Sequence, residues 1–258
     1  MLQFATHFPS RPVFDRNPPR VRATLVLLIA ANAAILLTDR EGMHDPLSSR
    51  SVWTTSVRLL LELIAPESCA ACDVPIAREQ LFCSECGAWP SAPVLPESQG
   101  SAAGAYAPPL STAIRRLKFS RRADLARPLA RQLPWPCLGD ASQVTVVPVP
   151  LHYTRLVERG YNPAALLARE LCRRVGARFA PELLVRCRAT PQQSRLPARE
   201  RQSNVQGAFR APRSASGRSV VLLDDVVTTG ATARACCQAL YAAGVDHVTV
   251  LALATATG

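Results

Sequence analysis

The sequence predicts an α/β fold, a parallel β-sheet flanked by helices, with a small cysteine-rich module ahead of it. Three observations carry this expectation. Short apolar runs alternate with helix-like segments of about ten to fifteen residues through the second half of the chain. Two C-x-x-C pairs, Cys69/Cys72 and Cys83/Cys86, stand ten residues apart. An apolar run at Val220 to Leu223 ends in two adjacent acids and a Thr-Thr-Gly loop that opens a helix. With 48% hydrophobic and 19% charged residues and a mean hydropathy of +0.07, the 258-residue chain can bury a real core. That balance excludes a disordered acidic chain and a multi-span membrane protein.

The elements follow in chain order. Residues 23 to 38, ATLVLLIAANAAILLT, are apolar and flanked by Arg20, Arg22, Asp39 and Arg40. Sixteen residues interrupted by Asn32 fall short of the roughly 20 that a spanning helix needs. No clear small-x-small cleavage site precedes the polar TDREGMHD run. Residues 1 to 42 are therefore read as an extension with Met43 as the natural start, an N-terminal anchor being the alternative. Trp53 to Ile64 places Leu59, Leu60, Leu63 and Ile64 at helical spacing before Pro66 stops the run.

Zinc takes four ligands at tetrahedral angles, and each C-x-x-C turn delivers two thiolates from one tight knuckle. Cys69, Cys72, Cys83 and Cys86 fit, with Gly87 easing the second turn, and four ligands leave no position open for chemistry. A structural zinc is expected; disulfides would need an oxidising compartment, which nothing else in the sequence supports. Cys137, Cys172, Cys187, Cys236 and Cys237 read as free thiols in helical or apolar segments. Pro90 to Pro109 has the Pro, Ser, Ala and Gly content of a linker, so a boundary near residue 95 divides a module over 60 to 95 from a larger domain over 96 to 258.

In that larger domain Ser111 to Leu133 reads as one basic helix and Val144 to Val149 as a strand. Asn162 to Val175 reads as a helix with an Asn cap and Pro at its first position. Val220 to Leu223 and Val248 to Ala254 are further strands, with a helix over Thr232 to Ala243 between them. The stretch Val220 to Thr232, VVLLDDVVTTGAT, is the sharpest constellation in the chain. A loop of small residues at a helix start aims several backbone N–H groups at one point, and the helix dipole adds positive potential there. Val226, Val227, Thr228, Thr229, Gly230, Ala231 and Thr232 would form that phosphate cradle, with Gly230 free to take positive φ. Asp224 and Asp225 would accept hydrogen bonds from vicinal hydroxyls, which describes a ribose 5-phosphate site at the carboxyl edge of a parallel sheet.

Charge points the same way. The net charge is +11, with 29 Arg and a single lysine, Lys118. Residues 111 to 213 hold 20 basic and 6 acidic side chains. Such a surplus favours partners bearing phosphate, whether a small polyphosphate or a nucleic acid backbone.

The Val220 to Thr232 pattern resembles the 5-phosphoribosyl 1-pyrophosphate (PRPP) signature of type I phosphoribosyltransferases. The resemblance narrows on the double C-x-x-C module, Tyr106, Leu117-Lys118-Phe119, Pro148-Val149-Pro150 and Arg159-Gly160-Tyr161-Asn162. Gln193, Leu196, Arg201, Asn204, Val205, Gly207, Ala208 and Phe209 complete it. Together they resemble the ComF family over residues 60 to 258, except that Pro163 follows Asn162 where the family pattern carries Gln. That resemblance implies a zinc-ribbon module joined to a phosphoribosyltransferase-like domain, a cytoplasmic protein that handles single-stranded DNA entering during natural transformation. It implies PRPP or a nucleotide as ligand, with DNA or DNA-uptake proteins as partners and no membrane span. It places a pyrophosphate loop at Pro148 to Arg159, where His152, Arg155 and Arg159 offer donors, and a basic flexible segment over 186 to 218, with Arg201 and Asn204 on the family pattern. If catalytic, Asp224 and Asp225 would orient the ribose while Mg2+ travels with PRPP. Two other readings stand beside this one: a metabolic phosphoribosyltransferase for a nucleobase or amine, and a non-enzymatic DNA- or partner-binding protein. No aromatic series interleaves the Arg residues, which weighs against specific single-strand recognition.

Overall fold

The computed structural model describes residues 67–77, 80–89, 100–135, 140–188, 205 and 207–256, all within one compact unit, Glu67–Gly258. The expected extension over 1 to 42, its apolar segment, the Trp53 to Ile64 helix, Cys137, Arg201 and Asn204 lie outside the described residues. Among the described residues no helix is long and apolar enough to cross a membrane.

The sheet has five parallel strands in the order β1-β7-β6-β2-β3, with β1 at Gly100–Ala105, β2 at Val144–Pro148, β3 at Arg178–Phe179, β6 at Ser219–Val227 and β7 at His247–Thr255. A separate two-stranded antiparallel ladder joins β4, Val185–Arg186, to β5, Phe209–Arg210. Among the described residues, five α-helices accompany them: α1 Leu110–Phe119, α2 Ala126–Ala130, α3 Tyr153–Arg159, α4 Pro163–Val175 and α5 Ala231–Ala242. Alternation along β6 divides the core into two layers, as a strand buried on both faces requires. Val221 and Leu223 pack with α1, α4 and the cysteine module, whereas Val220 and Leu222 pack with α5 through Cys236 and Leu240.

From β2 the chain crosses by α4 to β3 on one side, and from β6 it crosses by α5 to β7 on the other. The junction of β2 and β6 is therefore the switch point where open α/β sheets form their crevice. β6 outruns β2 there. Its last partner on that side is Leu223, paired with Pro148 and accepting from the Val149 amide at 2.8 Å. Asp224 to Val227 continue beside β7 alone, so the end of β6 opens toward the ends of α1 and α3.

Several sequence expectations change here. Pro90 to Pro109 is not wholly a linker, because Gly100–Ala105 forms the edge strand β1 on β7. Its small residues carry little strand propensity, and pairing with β7 overrides that. The single helix expected over Ser111 to Leu133 is broken: α1 stops at Phe119, Arg121 takes φ 55°, and a short 3₁₀ turn leads into α2. The break lets Arg122 reach Asp124 at 2.8 Å and Asp73 of the cysteine module at 2.5 Å. The helix from Pro163 forms as expected, with the Asn162 side chain accepting from the Ala164 amide at 3.1 Å.

Gly104 shows how tightly the cysteine module seats on the sheet. Trp89 lies across β1, donating Nε1–H to the Ala103 carbonyl at 3.3 Å and meeting Phe82 edge-on at 5.5 Å between ring centroids. A Cβ at position 104 would stand 2.2 Å from Trp89 Cδ1, closer than any packed contact permits. Gly104→Ala is expected to lower the unfolding free energy by about 1–3 kcal/mol and to red-shift Trp emission. Urea denaturation followed by fluorescence checks this, and an unchanged midpoint and spectrum would show that Trp89 is not seated there.

Candidate nucleotide site and cysteine cluster

The cysteine cluster is built from two matching knuckles. The Asp73 amide donates to the Cys69 carbonyl at 3.0 Å, and the Gly87 amide donates to the Cys83 carbonyl at 3.0 Å. The residue closing each turn is left-handed, Asp73 with φ 67° and Gly87 with φ 71°; Gly takes this conformation freely, and Asp is among the few other residues that tolerate it. The four Sγ atoms lie within 4.8 Å of one another, and Cys72 and Cys83 sulfurs are 3.6 Å apart. Tetrahedral zinc with Zn–S of about 2.3 Å sets sulfurs about 3.8 Å apart, so the spacing suits a shared cation and is far too long for a disulfide. Burial alone would raise the Cys69 thiol, but amide hydrogen bonds led by Cys83 bring it down to about 6. Burial and the neighbouring thiols push Cys86 upward. These four residues can hold a metal ion such as zinc.

Asp73 also fastens the module to the domain. Its carboxylate meets both Arg116 and Arg122, and Arg116 donates to the Ala70 carbonyl at 3.1 Å. Arg116 belongs to α1, whose apolar face of Leu110, Ala113, Ile114 and Leu117 is fully buried.

From the same last turn of α1, Lys118 reaches the end of β6 and pairs with Asp225 at 2.7 Å. Burial disfavours the charge on Lys118, but the carboxylate more than offsets it and the pKa lies above the ordinary lysine value. Strand alternation sends Asp225 to this α1 face and Asp224 toward α5, where it acts on Arg186 and Cys236. Asp224 accepts from the Asp225 amide at 2.8 Å. Burial, then the charge of Asp225, push its carboxyl up to about 7, with Lys118 opposing.

Beyond Val227, Thr228 and Thr229 are exposed, and Gly230 takes φ 71° to turn the chain into α5. The N-cap residue is this glycine, which brings no side chain to cap the first amides, and a helix start of this kind suits an anion. Thr232 stands in the first turn.

The structure gathers some of the other expected residues and not others. His152 caps α3, its Nδ1 lying 3.0 Å from Thr154 Oγ1, and Arg155 pairs with Glu158 at 2.7 Å; both have partners within α3. Arg159 instead lies over the Phe119 ring, 5.1 Å from its centroid, and feels the Asp225 carboxylate. Lys118 is the residue that residue-by-residue reading did not assign to the site. Its signal was compositional, a single lysine where every other basic position is arginine.

No family model matches the chain. It is 37% identical over 192 residues to the DNA utilization protein YhgH of Escherichia coli K12, covering 72% of this chain and 82% of that protein. The YhgH protein of Salmonella typhimurium is 35% identical over 191 residues with the same coverage. Competence protein F of Haemophilus influenzae is 35% identical over 163 residues, 59% of this chain and 71% of that one. Among solved structures, the glutamine PRPP amidotransferase of B. subtilis complexed with ADP and GMP aligns with a TM-score of 0.32 and 21% identity, over 51% of this chain and 25% of its own.

The raised Asp224 pKa has a sign that stability can report. The folded chain keeps a proton that the unfolded chain releases between about pH 4 and pH 7, so stability falls as pH rises through that window. Asp224→Asn keeps an oxygen for the Asp225 amide and removes the buried charge. It is expected to raise the unfolding free energy measured in urea at pH 8 by a few kcal/mol at most, and to lose most of that gain at pH 4.5. A difference from the parent that is flat across pH would contradict the assignment.

Proposed function

The chain belongs to the family of DNA utilization protein YhgH and competence protein F, the ComF family, and on that premise we propose that it binds PRPP or a nucleotide at the end of β6 and acts in DNA utilization and uptake during natural transformation. The observation that supports this best is the sequence of features along one strand end. A central parallel strand outruns its neighbour, presents Asp224 and Asp225, turns through Thr228, Thr229 and Gly230, and enters a helix with glycine at its N-cap at the switch point of the sheet. Backbone amides from Thr228 to Thr232 and their hydroxyls would receive the 5-phosphate. The carboxylates would receive ribose hydroxyls, with Lys118 fixing Asp225 in place. His152, Arg155, Arg201 and Asn204 are proposed donors to pyrophosphate, and Mg2+ would be carried mainly by substrate oxygens.

Cys69, Cys72, Cys83 and Cys86 are proposed to hold a structural zinc within a module over 60 to 95, the phosphoribosyltransferase-like domain spanning 96 to 258. We place the protein in the cytoplasm as part of the same proposal, with single-stranded DNA or DNA-uptake proteins as its proposed partners, and the basic surplus over 111 to 213 is suited to either.

Asp224→Asn with Asp225→Asn keeps shape and removes two charged acceptors, each worth roughly 1.5–3 kcal/mol when bonded. Calorimetric titration with PRPP and with a nucleoside monophosphate is expected to show at least a tenfold loss of affinity. Retention of parent affinity would remove these acids from the site. Release of pyrophosphate from PRPP with a free nucleobase as acceptor would instead favour the metabolic transferase reading.

Metal analysis of the purified protein is expected to find one zinc per chain, with Cys83→Ser losing the metal and much of its thermal stability. Zinc content unchanged in that variant would sink the assignment.

A further inference from the structure

Phe119 is an unexpected residue to leave in water. It sits on α1 away from the buried face and is 65% exposed. A single exposed aromatic is ordinary, but this one is covered on one side by a cation delivered from another helix. Arg159 ends α3, and Gly160 with φ 83° stops the helix directly after it. The next two residues pin the turn. Tyr161 donates its hydroxyl to the Leu117 carbonyl at the end of α1, and Asn162 donates Nδ2–H to the Val149 carbonyl beyond β2, at 2.9 Å. The sequence motifs Leu117-Lys118-Phe119 and Arg159-Gly160-Tyr161-Asn162 are thus one construction, which holds a guanidinium against an aromatic ring. The residue before Phe119 is the one that grips Asp225, and Arg159 feels the same carboxylate, so ring and guanidinium stand at the rim of the carboxylate site.

We propose that Phe119 and Arg159 form a stacking platform for a nucleobase, the base of a ribonucleoside 5′-monophosphate whose ribose lies on Asp224 and Asp225. A planar π-system and a guanidinium both stack on base faces, and such stacking tolerates any base. The same base chemistry could arrive as the 5′-phosphorylated end of a DNA strand. The carboxylates favour the ribonucleotide, because two acids match two vicinal hydroxyls, whereas DNA lacks the 2′-hydroxyl and esterifies the 3′. This inference rests on the nucleotide-site reading above, and its test separates the two.

The full-length protein is titrated calorimetrically with ribose 5-phosphate, AMP, UMP and a 5′-phosphorylated oligodeoxynucleotide. The parent is expected to bind AMP and UMP about tenfold or more tightly than ribose 5-phosphate. Phe119→Ala is expected to erase that gap while leaving ribose 5-phosphate binding unchanged, and Phe119→Trp to preserve it; an unchanged circular dichroism spectrum confirms folding of both variants. If AMP and UMP gain nothing over ribose 5-phosphate in the parent, or Phe119→Ala weakens all three alike, the platform is disproved while the phosphate and ribose site survives. If the oligonucleotide end binds more tightly than AMP and depends on Phe119, the ribonucleotide assignment is overturned in favour of a DNA end. Failure of every ligand to bind the parent removes the underlying site and the platform with it.

Discussion

The ion pair between Lys118 and Asp225 is the contact on which the carboxyl edge of this sheet depends. Two adjacent acids at the end of a buried strand repel each other and lose hydration, and one of them, Asp224, responds with a pKa displaced to about 7. A fixed cation is what makes the arrangement tolerable. Lys118 supplies it from the last turn of α1, and its own charge survives burial only because the carboxylate is there. Neither partner would be stable in this position without the other. An arginine, with its planar fork, would fill this place differently from a compact ammonium, which gives a physical sense to the one lysine in an otherwise arginine-only chain.

Holding Lys118 in place falls to α1, and holding α1 falls largely to the cysteine module. Cys69, Ala70, Leu81, Phe82 and Cys83 share one buried cluster with Leu110, Ala113, Ile114 and Leu117. Asp73, at the turn that closes the first knuckle, bridges Arg116 and Arg122. Four ligand positions leave a bound cation no chemical task, but the knuckle that would close around it is two contacts away from the residue gripping Asp225. The module therefore acts through rigidity: it sets where the helix ends, and the helix sets where the ammonium lies.

How much of this was legible in the sequence varied with the range of the interaction concerned. The parallel sheet, the capped helix from Pro163 and the strand-to-loop-to-helix turn at Gly230 follow from local pattern and turn chemistry, and all three are present. β1 was read as linker because Gly100–Ala105 has no apolar run of its own; its strand character comes from β7, about 150 residues later. The break after Phe119 was hidden because the contact that goes with it, Arg122 turning back to Asp73, is tertiary. Asp224 and Asp225 were legible as a pair, but not their divergence to opposite faces, which depends on β6 continuing in extended form as far as Val227. Lys118 stood inside a recognised motif while its partner lay more than 100 residues away.

That divergence constrains how the strand can vary. Because side chains along β6 alternate, losing or gaining one residue between Val220 and Leu223 would exchange the faces of everything downstream. The acid that now meets Lys118 would turn toward α5, and its neighbour would take the lysine. A change of two residues would restore the faces but slide both carboxylates by about 6.6 Å along the strand, beyond the reach of a lysine anchored in α1. Substitution in β6 is therefore a matter of volume and polarity, but its length is fixed. Variation in length is left to the connections before Ser219 and after Ala242, where inserted residues need not alter the parity of the strand.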